Sequence, residues 1–162
     1  MKPINLKLNA FGPYNNEINI NFEKLGNSGV FLITGDTGSG KTTIFDAISF
    51  ALFGEVSGSN RPISTLRSNF ASFENETFVE FMFLHKGKIY NVKRNAPYER
   101  MKKRGEGTTL KDADAWIECN EQVLTGYNAV TKKIEEILGI NAKQFKQVAM
   151  LAQRRIFKNI IC

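Results

Sequence analysis

Apolar and polar residues alternate along the first part of the chain. Ile4, Leu6 and Leu8 share one face, and Ile18, Ile20 and Phe22 share another. A period of two is that of a half-buried strand. Gly12-Pro13-Tyr14-Asn15-Asn16 between them is turn chemistry, so two strands joined by a turn are expected. After a second turn at Gly26–Gly29, Val30-Phe31-Leu32-Ile33-Thr34 is a continuous apolar run, the pattern of a strand buried on both faces. The period then changes. Ile44, Ala47, Ile48, Ala51 and Leu52 recur at helical spacing up to Gly54. Residues 55–72 are polar and read as a loop with one short helix. Residues 76–93 read as a hairpin, with Val79, Phe81, Phe83 and His85 on one face and His85-Lys86-Gly87-Lys88 as its turn. Residues 95–109 are the most polar and basic stretch and are expected to form an exposed loop. A further hairpin is expected over 115–124. An amphipathic helix over 126–138 follows, with Tyr127, Val130, Ile134, Ile137 and Leu138 on its apolar side. Gly139 stops it, and Asn141 caps a last helix over 142–151. No internal repeat or linker interrupts this order.

Composition narrows the classes. The 162 residues are 42% hydrophobic and 23% charged, which fits a globular chain and excludes wholesale disorder. No run of 18 apolar residues exists to span a membrane, and Met1–Ala10 lacks the apolar centre of a secretory signal. Cys119 and Cys162 form no metal-binding spacing and fit a reducing cytoplasm. The net charge of +6 is compatible with an anionic partner, nucleotide or nucleic acid.

The sharpest chemistry is Gly35-Asp36-Thr37-Gly38-Ser39-Gly40-Lys41-Thr42, which satisfies G-x-x-x-x-G-K-[ST] between an expected strand and an expected helix. Glycines let successive backbone N–H groups converge as an anion nest, and the helix N-terminus adds its dipole. Gly35, Thr37, Gly38, Ser39 and Gly40 therefore form the phosphate cradle for ATP. Lys41 reaches the β- and γ-phosphates, the Thr42 hydroxyl ligates Mg²⁺, and Thr43 bonds the α-phosphate. Tyr14 and Asn15 are placed near the base or ribose, and Asp46 is read as structural. Hydrolysis also needs a carboxylate at the end of a hydrophobic strand. No run of four apolar residues ending in Asp or Glu follows the loop, and no Ser-Gly-Gly signature occurs.

Several stretches together carry a family resemblance. They are Ala10-Phe11-Gly12-Pro13-Tyr14, the P-loop with Thr43-Ile44-Phe45-Asp46-Ala47-Ile48, and Ala51-Leu52-Phe53-Gly54-Glu55. Leu66-Arg67-Ser68, Tyr90-Asn91-Val92-Lys93-Arg94, Arg104-Gly105-Glu106-Gly107, Gln144-Phe145-Lys146-Gln147 and Leu151-Ala152-Gln153 complete them. Over residues 1–153 the chain resembles the N-terminal ATPase segment of the SbcC family, SMC-like relatives of the ABC ATPases. The resemblance implies an α/β P-loop NTPase fold, the incomplete first lobe of an ABC-type head, with mixed and antiparallel sheets around the P-loop helix. It implies a parent protein with a coiled coil and zinc hook, a second SbcC head, an SbcD-like nuclease partner and DNA as substrate, with ATP and Mg²⁺ as cofactors. Gln153 falls at the family's glutamine-loop position, which contacts Mg²⁺ and the attacking water; read alone, it is a surface glutamine ending a helix. An ABC transporter subunit and an inactive nucleotide-binding remnant are the rival readings.

The basic residues Lys93, Arg94, Arg100, Lys102, Lys103 and Arg104 read equally as phosphate contacts to DNA or as a solvated loop. Trp116 and the phenylalanines read as core, and His85 as a solvated hairpin end. Residues 154–162 depart from the family's Gly-Glu-Phe continuation. If Arg154-Arg155-Ile156-Phe157 is encoded AGG AGA ATT TTT, removing the first A restores Gly-Glu-Phe. A one-base insertion with a frameshifted tail is therefore expected, against the alternative of a genuine variant. Lacking the later motifs, the chain is expected to bind nucleotide weakly and not to turn it over.

Overall fold

The alternating segments become a single antiparallel sheet. The computed structural model describes residues 1–26, 32–56, 62–102 and 104–149. Strand β1 (Lys2–Asn9) pairs with β2 (Ile18–Asn21) on one side and with β3 (Phe78–His85) on the other. β3 continues into β4 (Lys88–Asn95) through Lys86 and Gly87, both at positive φ, so the connection twists with its strands. Then β7 (Asp114–Cys119) and β8 (Gln122–Thr125) complete the order β2-β1-β3-β4-β7-β8. The expected turn-linked strands and both expected hairpins are therefore present.

Period two decides what is buried. Leu6, Leu8, Val79, Phe81, Phe83, Val92, Ala115 and Ile117 all lie on the inner face, each at most 4% exposed. Helix α1 (Lys41–Phe53) packs on that face against β3 and β4, and α2 (Tyr127–Leu138) packs beside it against β7. Ala47, Phe50, Ala51 and Leu52 of α1 and Val130 and Ile134 of α2 are fully buried there. Each large apolar side chain removed from water contributes about 1.5–3 kcal/mol, so this helix–sheet seam is the main support of the fold. Helix α3 (Ala142–Ala149) meets α1 through Phe145 and Phe53, whose ring centroids are 5.3 Å apart. It begins with a reciprocal capping box, Asn141 with Gln144, both bonds 3.0 Å.

Four expectations need correction. The strand read into Val30–Thr34 is not formed over its described part, 32–34, and Leu32 is 85% exposed. Among the described residues no strand of the six-stranded sheet pairs with it. Of the mixed and antiparallel sheets expected, only antiparallel pairing is found among the described residues. The loop expected over 95–109 is largely a hairpin, β5 (Tyr98–Met101) with β6 (Thr108–Lys111). Tyr98 anchors it: the ring is buried, and the Arg67 guanidinium lies 5.0 Å from its centroid. Trp116 is not core. Its neighbours Ala115 and Ile117 take the inner face, which turns the half-buried indole to the opposite one.

Candidate nucleotide site

The P-loop connects residue 35 to the first turn of α1. Gly38 and Gly40 have φ of +88° and +91°, the left-handed region where a side chain is strained. At Gly40 there is also no room, because a Cβ would sit 2.6 Å from the Tyr14 hydroxyl oxygen. Gly40 is the N-cap of α1 and offers no side-chain acceptor, and no acidic residue lies in the helix's first turn. Among the described residues the cap position gives the first amides of α1 no side-chain acceptor, and a helix dipole favours an anion at such an end.

Lys41, the first residue of α1, folds back over the loop. Its Nζ donates to the carbonyls of Gly35 and Asp36, both at 2.6 Å, and lies 3.5 Å from Ser39 Oγ. The loop is curled around one ammonium. The sequence-derived set Gly35, Thr37, Gly38, Ser39, Gly40, Lys41, Thr42 and Thr43 is therefore gathered on one loop and one helical turn. Thr42 is exposed, which suits its hydroxyl to a cation, and Thr43 is half-buried. The chemistry of this set, left-handed glycines before a helix start with one lysine and one exposed hydroxyl, fits a nucleotide triphosphate with Mg²⁺. Among the described residues there is no cluster of His, Cys, Asp or Glu that would hold a metal alone.

Two contacts that sequence reasoning missed shape this end of α1. Tyr14, read from the sequence as near the base or ribose, reaches the P-loop from its turn. Its hydroxyl donates to the Gly40 carbonyl at 3.3 Å, bracing the loop, and burial raises its pKa. Gly12 packs directly on Thr43, with a Cβ there only 2.7 Å from Thr43 Cγ2. Residues 66–68 then close over the same turn, with Gly12 N bonded to Leu66 O at 2.8 Å and Ser68 N to Ala10 O at 2.9 Å. Three stretches far apart in sequence (10–14, 35–43 and 66–68) meet here. Beside Thr43 they border a cleft of about 270 Å³ lined in part by Phe11, Pro13 and Asp46. The signal was the Gly-Pro-Tyr turn itself, whose glycine and aromatic serve the P-loop rather than the strand.

The basic set divides. Arg94 is withdrawn as a DNA contact: its side chain is fully buried beneath the sheet and committed to α1 and α2. Its place on the same face as Val92, two residues earlier, was the legible signal. Lys93 is half-buried over the Phe78 ring, 4.0 Å from its centroid, and pairs with Glu76 at 3.5 Å. Arg100 is half-buried, and Lys102 and Arg104 are exposed at the end of the β5–β6 hairpin. Lys103 and Gln153 lie outside the described residues, as does the tail 154–162.

A loop of this sequence opening a helix against a sheet defines a P-loop nucleotide-binding protein of α/β class. Residues 5–161 match the family described as AAA domain, and the chain belongs to it. It is 42% identical over 158 residues to the SbcC subunit of the SbcCD nuclease of Vibrio cholerae, covering 94% of this chain and 16% of that protein. The same subunit of Lactococcus lactis is 40% identical over 162 residues, and that of Staphylococcus aureus 43% over 163 residues. Each of these covers 94% of this chain and 15% of the relative. The chain thus spans about a sixth of the length of these relatives. No helix among the described residues is long and apolar enough to cross a membrane.

Proposed function

We propose that this chain is the ATP-binding lobe of an SbcC-like ATPase subunit, built as the first lobe of an ABC-type head and working in the cytoplasm. The observation that carries this reading is the P-loop itself: an uncapped α1 N-terminus, two left-handed glycines and Lys41 poised over the loop. The 40–43% identity to SbcC subunits of the SbcCD nuclease supports the particular parent. Backbone amides of 38–41 and Lys41 bind the phosphate chain, Lys41 exchanging its carbonyl partners for phosphate oxygens. Thr42 holds Mg²⁺, which when bound offsets the charge of the phosphates. Thr43 and the cleft beside it take the α-phosphate and nucleoside. Gln153 serves as the water- and Mg²⁺-positioning residue.

The rest of the reading concerns the parent complex. A second SbcC head closes over ATP, an SbcD-like nuclease subunit cuts DNA, and the complex acts in double-strand break repair and recombination. The exposed Lys102 and Arg104, with Arg100 and Lys103, meet DNA phosphates in a sequence-independent way. Calorimetric titration of the chain with ATP and Mg²⁺ tests the core of this. Saturable binding that Lys41→Ala weakens at least tenfold is expected. Binding that is absent in the folded chain, or indifferent to Lys41, would overturn it.

A further inference from the structure

Helix α1 has two ends in contrasting states. Its first turn is open to an anion. Its last turn is filled from outside. Gly54 N returns to Phe50 O at 2.8 Å. The next two carbonyls, Ala51 O and Leu52 O, accept from Arg94 Nε and Nη2 at 2.8 and 3.0 Å. The Gly54 carbonyl accepts from the Tyr127 hydroxyl at 2.9 Å. α1 has no basic residue of its own in that turn, so β4 supplies the cation that the negative helix end favours.

Arg94 does not stop at α1. Nη1 donates to Tyr127 O at 3.1 Å and Nη2 to Thr131 Oγ1 at 2.9 Å, both in the first turns of α2. The guanidinium lies over the Tyr127 ring, 4.7 Å from its centroid. None of these partners is a carboxylate. One planar fork therefore joins a central strand, the end of the P-loop helix and the start of α2, in a volume where a misplaced carbonyl would be left dry.

Resting on the nucleotide-site reading above, we propose that Arg94 is a positioning residue of that site. It fixes the axial position and rotation of α1, and thereby where Lys41 and Thr42 stand about 15 Å away, ten residues earlier in the helix. A rigid helix transmits a shift at one end to the other, and phosphate geometry at the open end tolerates little displacement. The same link runs in reverse, so that a ligand on the first turn of α1 restrains the first turn of α2.

The test compares Arg94→Lys, which keeps the charge and loses the fork, with Ile134→Ala, which removes buried apolar volume from α2 and touches none of these carbonyls. Both are measured at a temperature where circular dichroism shows each folded. Arg94→Lys is expected to weaken ATP–Mg²⁺ binding at least tenfold, and Ile134→Ala less than twofold, even with an equal loss of Tm. In the wild-type chain, ATP–Mg²⁺ is expected to slow amide exchange at 127–131, and in Arg94→Lys it does not. If Arg94→Lys fails to fold, Thr131→Val carries the test, with about threefold weaker binding expected. Equal effects of Arg94→Lys and Ile134→Ala, or unaltered binding by the folded Arg94 or Thr131 variant, would overturn the proposal. No binding by the wild-type chain would instead overturn the nucleotide site itself.

Discussion

At Gly40 two constraints coincide, a left-handed backbone and a tyrosine hydroxyl against the missing Cβ. Gly40→Ala is expected to cost about 1–3 kcal/mol from the backbone alone, before Tyr14 moves, and a chemical melt against wild type measures it. At Arg94 burial lowers the guanidinium pKa to about 10, with the Tyr127 ring opposing that shift. The group is still charged at neutral pH in both folded and unfolded chains, so it gives stability no pH dependence there. A lysine at this position behaves differently. Burial depresses its pKa below the unfolded value of about 10.4, so between the two values the unfolded chain holds more protons and stability rises with pH. The Tm deficit of Arg94→Lys relative to wild type is therefore expected to shrink from pH 7 to pH 9.5. A deficit constant over that range would show that the site is wetter than described.

Elements that bury one face were legible because their periods are unambiguous. Val79, Phe81 and Phe83 announced β3, and Val130 and Ile134 announced α2. Charge misleads where it is read before parity. Arg94 follows Val92 on the inner face, yet its place in a basic stretch groups it with solvated neighbours. Trp116 is large and aromatic, but the small Ala115 beside it holds the inner position. The β5–β6 hairpin escaped because its strands are four residues each and its sequence is charged, so only Tyr98 and its partners betray it. The candidate site was legible as a motif along one loop. Its bracing by Tyr14, Gly12 and residues 66–68 was not, since contacts between distant segments leave no local period. At this scale the DNA reading is testable. Replacing Arg100, Lys102 and Arg104 with alanine is expected to reduce the salt slope of duplex binding by about 0.9 for each phosphate no longer neutralised. An unchanged slope would make the hairpin end an ordinary solvated surface.

The whole molecule is a sheet whose inner face carries one helix with an open N-terminus and a tethered C-terminus. On the proposed reading this arrangement would bind a nucleotide without the full set of groups that hydrolysis requires. No run of four apolar residues ending in Asp or Glu follows the P-loop in the sequence, and among the described residues none of the acidic side chains forms a metal cluster. The expected outcome is nucleotide binding without robust magnesium-dependent ATPase activity by the 162-residue chain. Steady phosphate release over many turnovers, abolished by Lys41→Ala, would mean that the chain carries its own water-activating group.

The proposed phosphate site is the loop before α1. Amide NMR of the uniformly labelled chain, titrated with ATP and Mg²⁺, reads that loop directly. The largest shift changes are expected at Gly38, Ser39, Gly40, Lys41 and Thr42, saturating together and suppressed in Lys41→Ala. Saturating shifts confined to the β5–β6 hairpin or the outer sheet face, with 38–42 unmoved, would contradict that assignment.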